Sequence, residues 1–199
     1  MSHDMRNPLS IINISLENLK FIHKLDFQNI HQFEKIERAT ARITHQIDNV
    51  LGYVKEQNPR IQKVSFSEII RDVKDLTIIP RKVKLIVSKN DVKLIVDKRL
   101  FSTALINLIH NSIYAMDGQG TIIIRIDDVD DKIILEIEDS GIGIHKDDLK
   151  NIFEPLFTTK QQGTGLGLSS VKSIVDVHGG TISVTSPPTI FTITLPKKL

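Results

Sequence analysis

Along residues 1–57, apolar positions recur three and four apart: Leu9, Ile12, Leu16, Leu19 and Ile22, then Ile30, Phe33, Ile36, Ile43, Ile47, Val50 and Val54. That period predicts amphipathic helices. Lys24-Leu25-Asp26-Phe27 interrupts it, which divides the segment into a helix over 4–24 and a second over 28–57, joined as a helical hairpin. Two helices cannot cover both apolar stripes, whereas four can, so dimerisation into a four-helix bundle is the economical solution. Asn58-Pro59 ends the second helix.

Beyond it the pattern changes. Ser67 reads as the N-cap of a helix to about Leu76. Val83–Val87 and Val92–Val96 are short β-rich runs separated by Lys89-Asn90-Asp91, which predicts a hairpin. Asp97 caps a long helix to about Met116, stopped by Asp117-Gly118-Gln119-Gly120. Strands follow over Thr121–Ile126 and Lys132–Ile137. Residues 140–164 predict a mobile loop, Gly165–His178 a helix, and Thr181–Thr185 and Ile190–Leu195 two closing strands. The expected fold class is α+β. A helical hairpin over 1–58, paired as a dimeric four-helix bundle, precedes an α/β sandwich over 59–199 with a mixed sheet and helices on one face.

Composition narrows the classes. The 199 residues carry 26 Lys and Arg against 24 Asp and Glu, a net charge of +2 with no clustered basic stripe, so no nucleic-acid partner is expected. No apolar run reaches the roughly 18 residues of a membrane span. Cysteine is absent, which excludes disulfides and thiolate metal sites and fits a reducing compartment. Met1 is followed at once by polar residues, so no signal peptide is expected.

Four constellations carry possible chemistry. Asp139-Ser140-Gly141-Ile142-Gly143 directly follows a strand; its carboxylate could accept from an amine such as that of adenine, and its glycines let backbone approach a planar base. Alone it is equally common turn material. Gly163-Thr164-Gly165-Leu166-Gly167-Leu168 opens a helix, where exposed N–H groups and the dipole favour an anion. It is neither a P-loop nor a Rossmann fingerprint, and alone it is as readily a capping loop. Asn107 and Asn111 share one face of an otherwise apolar helix. They read as amide oxygens for Mg²⁺ or as a plain pair of exposed amides. His3, Asp4 and Asn7 fit one helical face; a neutral imidazole is a competent nucleophile toward phosphorus and a neighbouring carboxylate stabilises the resulting cation. A His so near Met1 is also what a terminal tail would show.

All four occur together, in one order, around suitable elements. The chain resembles the transmitter core of two-component sensor histidine kinases. HDMRNPL (3–9) is similar to that family's H box, NLIHNSIYAM (107–116) to its N box and DSGIGI (139–144) to its first glycine box. IFEPLFTTK (152–160) is similar to its phenylalanine box, and GTGLGLSSVKSIVDVHGG (163–180) to its second glycine box and helix. "AM" and "FTTK" resemble the subclass that includes nitrogen-regulation sensors.

The resemblance implies ATP-dependent autophosphorylation of His3, with Asp4 as acid/base partner. Phosphotransfer to an Asp of a response regulator receiver domain follows, and Asn7 orients a water for phosphatase activity toward that regulator. It implies ATP and Mg²⁺ as cofactors and Asn111 as the metal ligand. Nucleotide contacts would come from Asn107, Asn111, Asp139, Gly141, Gly143, Lys160, Gly163, Thr164, Gly165, Leu166, Gly167 and Leu168, with Thr192 backing the adenine. Phe153 and Phe157 would anchor the loop, and the catalytic domain would swing on residues 58–64. It also implies a homodimer in the cytoplasm, free or as part of a membrane-attached sensor. Departures are visible. The His3 helix starts at the His rather than well before it, as in an excised fragment. Tyr114 stands where many relatives carry a Lys near the phosphates, so that contact is expected to be missing. Ser186-Pro187-Pro188 replaces the usual glycines before the last strand. His23, His31, His45, His110, His145 and His178 have no ligand-like spacing and read as surface or packing residues. The competing readings are another ATPase of the gyrase, Hsp90 and MutL type, an anti-sigma type serine kinase, or a catalytically weak ATP-binding dimeric adaptor.

Overall fold

The computed structural model describes residues 59–160 and 163–198 together with Ile12, Ile14, Ser15, Ile36 and Thr40. The chain divides into two units, Met1–Lys55 and Glu56–Leu199. In the first, the five described residues are all helical. Thr40 Oγ1 donates to the Ile36 carbonyl at 2.5 Å, a back-bond across one helical turn. Ile12, Ile14 and Ile36 are exposed. The hairpin expected over 1–58, with His3, Asp4 and Asn7, otherwise lies outside the described residues.

The second unit runs β1 (Gln62–Ser65), α1 (Phe66–Leu76), β2 (Val83–Val87), β3 (Lys93–Val96), α2 (Lys98–Ala115), β4 (Gly120–Val129), β5 (Lys132–Asp139), α3 (Gly167–Val177), β6 (Thr181–Thr185) and β7 (Thr189–Pro196). Five strands form one sheet in the order β2-β4-β5-β7-β6. β2 pairs with β4 in parallel, and the other neighbours are antiparallel. The sheet is therefore mixed, as expected for the α+β class. Alternate residues of β4, β5 and β7 are buried: Ile122, Ile124 and Ile126; Ile133, Leu135 and Ile137; Phe191, Ile193 and Leu195. That period of two directs one face inward. α2 packs on β4, β5, α1 and α3, and α3 packs on β6. The other face, with Arg125, Glu136, Glu138, Thr192 and Thr194, carries charge and hydroxyls. Arg125 there pairs with Glu138 at 2.6 Å.

α2 sets the scaffold. The Asp97 carboxylate accepts from the Leu100 N–H at 3.0 Å, capping the helix. Leu100, Phe101, Ala104, Leu105, Leu108 and Ile109 are buried at helical spacing. Each large one contributes about 1.5–3 kcal/mol on leaving water. Gly118, with φ +71, stops the helix by donating to the Ile113 carbonyl.

Three sequence expectations need correcting. Val83–Val87 and the run after Val92 do not form a hairpin: β2 joins the large sheet beside β4, whereas β3 pairs antiparallel with β1 in a two-stranded sheet. β1 occupies residues assigned to the 58–64 linker; Val64 and Ser65 are buried there, so the strand belongs to the packed unit. The first helix of this unit is capped by Ser65 rather than Ser67. Ser65 Oγ accepts from the Glu68 N–H at 3.4 Å and donates to Glu68 Oε1 at 2.8 Å, a capping box two residues earlier than the sequence suggests.

Candidate active site

The site lies where the C-terminal half of α2, the end of β5 and the start of α3 meet. Asp139 terminates β5 with 3% exposure. Its Oδ1 accepts the Gly141 N–H at 2.9 Å and its Oδ2 accepts the Ser112 hydroxyl at 3.0 Å. Burial pushes its carboxyl above the ordinary value, against the pull of those two donors. Gly141 is obligatory for steric reasons: a Cβ would come within 2.8 Å of Asp139 Oδ1 and 2.9 Å of the Ala115 carbonyl oxygen. Its successor, Ile142, donates its N–H to that same Ala115 carbonyl at 3.3 Å, which fastens the loop to α2. Gly143 adopts φ +86, and the Ser186 hydroxyl accepts the Ile144 N–H at 2.7 Å, tying this loop to the β6–β7 turn.

Asn107 and Asn111 share a face of α2. Asn107 is 3% exposed, and its Nδ2 has no hydrogen-bond partner among the described residues. A buried donor without a partner costs on the order of 1–3 kcal/mol, so its position invites an acceptor from outside the chain. Asn111 Oδ1 accepts from Lys160 Nζ at 2.6 Å. That ammonium also lies 4.4 Å from the centre of the Tyr114 ring, and burial lowers the Lys160 pKa. A cation from the loop, Lys160, thus stands against Tyr114 and Asn111 on this face of α2.

The second glycine segment folds onto the same region. Leu156 N–H donates to the Gly165 carbonyl at 3.0 Å. Gly165 adopts φ +68, and a Cβ there would strike the Leu156 backbone. A Cβ on Gly167 would lie 4.0 Å from Asn111 Nδ2, so the first turn of α3 sits beside Asn111. Leu166, the cap residue, contributes no side-chain hydrogen bond, so the N–H groups of that turn are open to an anion. Thr164 Oγ1 accepts the Leu166 N–H at 3.4 Å. Gly163 donates to the Lys160 carbonyl at 3.2 Å. Leu166 is buried and Leu168 packs against the core, so both can serve a ligand only through backbone. Phe153 and Phe157 pack on the core, Phe153 edge-to-face with Phe191 at 6.4 Å.

Thr192 falls elsewhere. It pairs with Glu136 and is one strand residue out of phase with buried Phe191 and Ile193, so its side chain is on the open face of the sheet. The threonine opposite Asp139 is Thr189, buried to 4% exposure. Strand phase, counted in twos along β7, is what distinguishes the two threonines. Ser112 and the Lys160–Asn111 contact were also missed: a serine in an apolar helix reads as neutral, and a contact across 49 residues leaves no local pattern. His178 is a packing residue, as expected. Its Nε2 accepts the Asp97 N–H at 2.8 Å and its Nδ1 lies 2.6 Å from the Ile174 carbonyl.

An ATPase domain of the type shared by histidine kinases, DNA gyrase B and HSP90 matches this architecture over residues 96–199, and a His kinase A (phospho-acceptor) domain matches residues 1–59. The chain belongs to the sensor histidine kinases of two-component systems. It is 32% identical to the sensor histidine kinase ZraS of Salmonella typhi over 98% of this chain and 44% of that protein. It is 28% identical to the nitrogen regulation protein NtrY of Azorhizobium caulinodans over 94% of this chain and 26% of that protein. The chain thus spans less than half the length of these curated relatives. The histidine kinase ThkA, solved in complex with the response regulator protein TrrA, superposes with TM-score 0.66 at 26% identity, over 98% of this chain and 59% of that one.

Proposed function

We propose that the chain is the kinase core of a two-component sensor. In this reading it binds ATP at the α2–β5–α3 site, transfers the γ-phosphoryl group to His3, and passes it to an aspartate of a response regulator. The observation that carries this is the convergence of a buried, raised-pKa carboxylate, a partnerless buried Asn107 amide and an uncapped helix N-terminus on one region. These three suit a base amine and a polyphosphate. Asp139 would accept the adenine amine, with Gly141 and Gly143 leaving room for the ring. Gly163, Thr164, Gly165 and the N–H groups through Leu168 would face the phosphates, with Asn107 and Lys160 supplying donors. Asn111 has the hard oxygen suited to Mg²⁺, which when bound would neutralise phosphate charge.

In the transfer, a nitrogen of neutral His3 bonds to the γ-phosphorus as the bond to the ADP oxygen breaks; ADP leaves, and Asp4 takes up the ring proton. Positioning dominates such chemistry. Residues 1–58 and 59–199 act as two domains, and the hinge between them ends before β1. Asn7 orients water for dephosphorylating the regulator. The exposed Ile12 and Ile36, members of the predicted apolar stripe, support a homodimer. Cytoplasmic residence fits the ATP requirement.

Equilibrium titration with a fluorescent ATP analogue tests the site. Asp139→Asn keeps the shape, and affinity falls at least about tenfold, the worth of one charge-assisted hydrogen bond. Unchanged affinity would place the base elsewhere.

A further inference from the structure

Lys160 is a half-buried cation with no carboxylate partner among the described residues. Among the described residues its neighbours of opposite polarity are the Asn111 amide oxygen at 2.6 Å and the face of Tyr114 at 4.4 Å. Asn111 Oδ1 is also the oxygen that the proposed function assigns to Mg²⁺. A magnesium ion binds such an oxygen at about 2.0–2.1 Å. An ammonium and a divalent cation on one oxygen would lie a few ångströms apart and repel strongly in a partly desolvated site. The two occupancies exclude each other.

We propose that Lys160 is a resident counter-cation that competes with Mg²⁺ for Asn111 Oδ1, seated by the Tyr114 ring and displaced when the metal–nucleotide complex enters. This rests on the nucleotide-binding reading and adds to it a residue that sets the metal dependence of binding. Without metal, the ammonium stands in for part of its charge, so nucleotide binds in either condition. With metal, Lys160 must leave the amide, which draws down part of the gain that the metal brings. Tyr114 has the geometry of a seat: it is one turn along α2 from Asn111, 59% exposed, and offers its ring face to the ammonium.

The test is titration of the whole chain with a fluorescent ATP analogue, in excess Mg²⁺ and again in EDTA. The quantity read is the dissociation constant in EDTA divided by that in Mg²⁺. In Lys160→Met the ratio rises about tenfold over wild type, chiefly because metal-free binding weakens. Tyr114→Leu, which keeps the ammonium and removes its seat, shifts the ratio the same way by less. Matching far-UV spectra and melting temperatures establish that both variants fold. If Lys160→Met leaves the ratio within about twofold of wild type, the competition is refuted even where overall affinity falls. If wild type binds in neither condition, the nucleotide reading itself fails and takes this inference with it.

Discussion

His178 joins the end of α3 to the start of α2, and removing its polar edge has a calculable cost. The residue is 1% exposed and lies edge-on to Phe101, with ring centres 6.1 Å apart. Its partners fix the tautomer: Nε2 accepts the Asp97 N–H and Nδ1–H is donated to the Ile174 carbonyl. Neither partner has an easy substitute, because the His178 N–H that would otherwise reach Ile174 is directed at the Val175 carbonyl. His178→Phe preserves volume and the aromatic contact but strands one buried donor and one buried acceptor. At about 1–3 kcal/mol each, a loss near 3 kcal/mol is expected. With a slope of about 2 kcal/mol/M, the urea midpoint drops by roughly 1.5 M. The assay is urea unfolding of the full chain followed by far-UV ellipticity, reading the transition of the sheet-bearing unit. A drop below about 0.3 M would refute the reasoning, since the two hydrogen bonds would then carry no net stability.

Two pH-dependent predictions follow from the carboxylates. Burial holds the Asp139 pKa above its ordinary 3.8, so folding favours its protonated form and ionisation costs stability once pH rises through the folded value. Asp139→Asn therefore melts higher than wild type at pH 8, and the gap closes as pH falls toward 3.8 and below; a gap that widens on acidification would contradict this. Asp97 behaves oppositely. Burial pushes it up, but the N–H groups of Leu100 and Arg60 and the charge of Arg99 outweigh that, leaving its pKa below 3.8. Its contribution is present above pH 3.8 and lost as pH falls through the folded value. Since Asn also caps helices, Asp97→Asn isolates the charge: it is less stable than wild type at pH 6, and the difference shrinks below pH 3.8. A difference independent of pH would show that the charge is immaterial.

Much of the catalytic unit was legible in the sequence because its strong elements announce themselves locally. α2 was readable from Asp97, the apolar spacing and Gly118, and β6 from its flanking glycines and prolines. Asp139 was legible as the end of a strand, where it closes β5, but alone its glycine-rich segment reads equally as turn material, and only its company with the other motifs singled it out. What failed was pairing. β2 and β3 adjoin in sequence, but the parallel partner of β2 is β4, some 35 residues on, and nothing within either short strand encodes that choice. β1, with two exposed and two buried residues, is too short to show a period. Thr192 and Thr189 differ in strand phase, the one on the open face of the sheet and the other buried opposite Asp139, and phase is not visible from position near the chain end alone. The Lys160–Asn111 contact depends on how the loop returns to α2, which no spacing rule carries.

The most direct measurement is incubation of the chain with Mg²⁺ and γ-labelled ATP beside His3→Ala and Asp139→Asn. Incorporation that is acid-labile and base-stable, abolished in His3→Ala and strongly reduced in Asp139→Asn, is the expected result. Label that survives His3→Ala, or that is stable to acid, would contradict phosphorylation of this histidine.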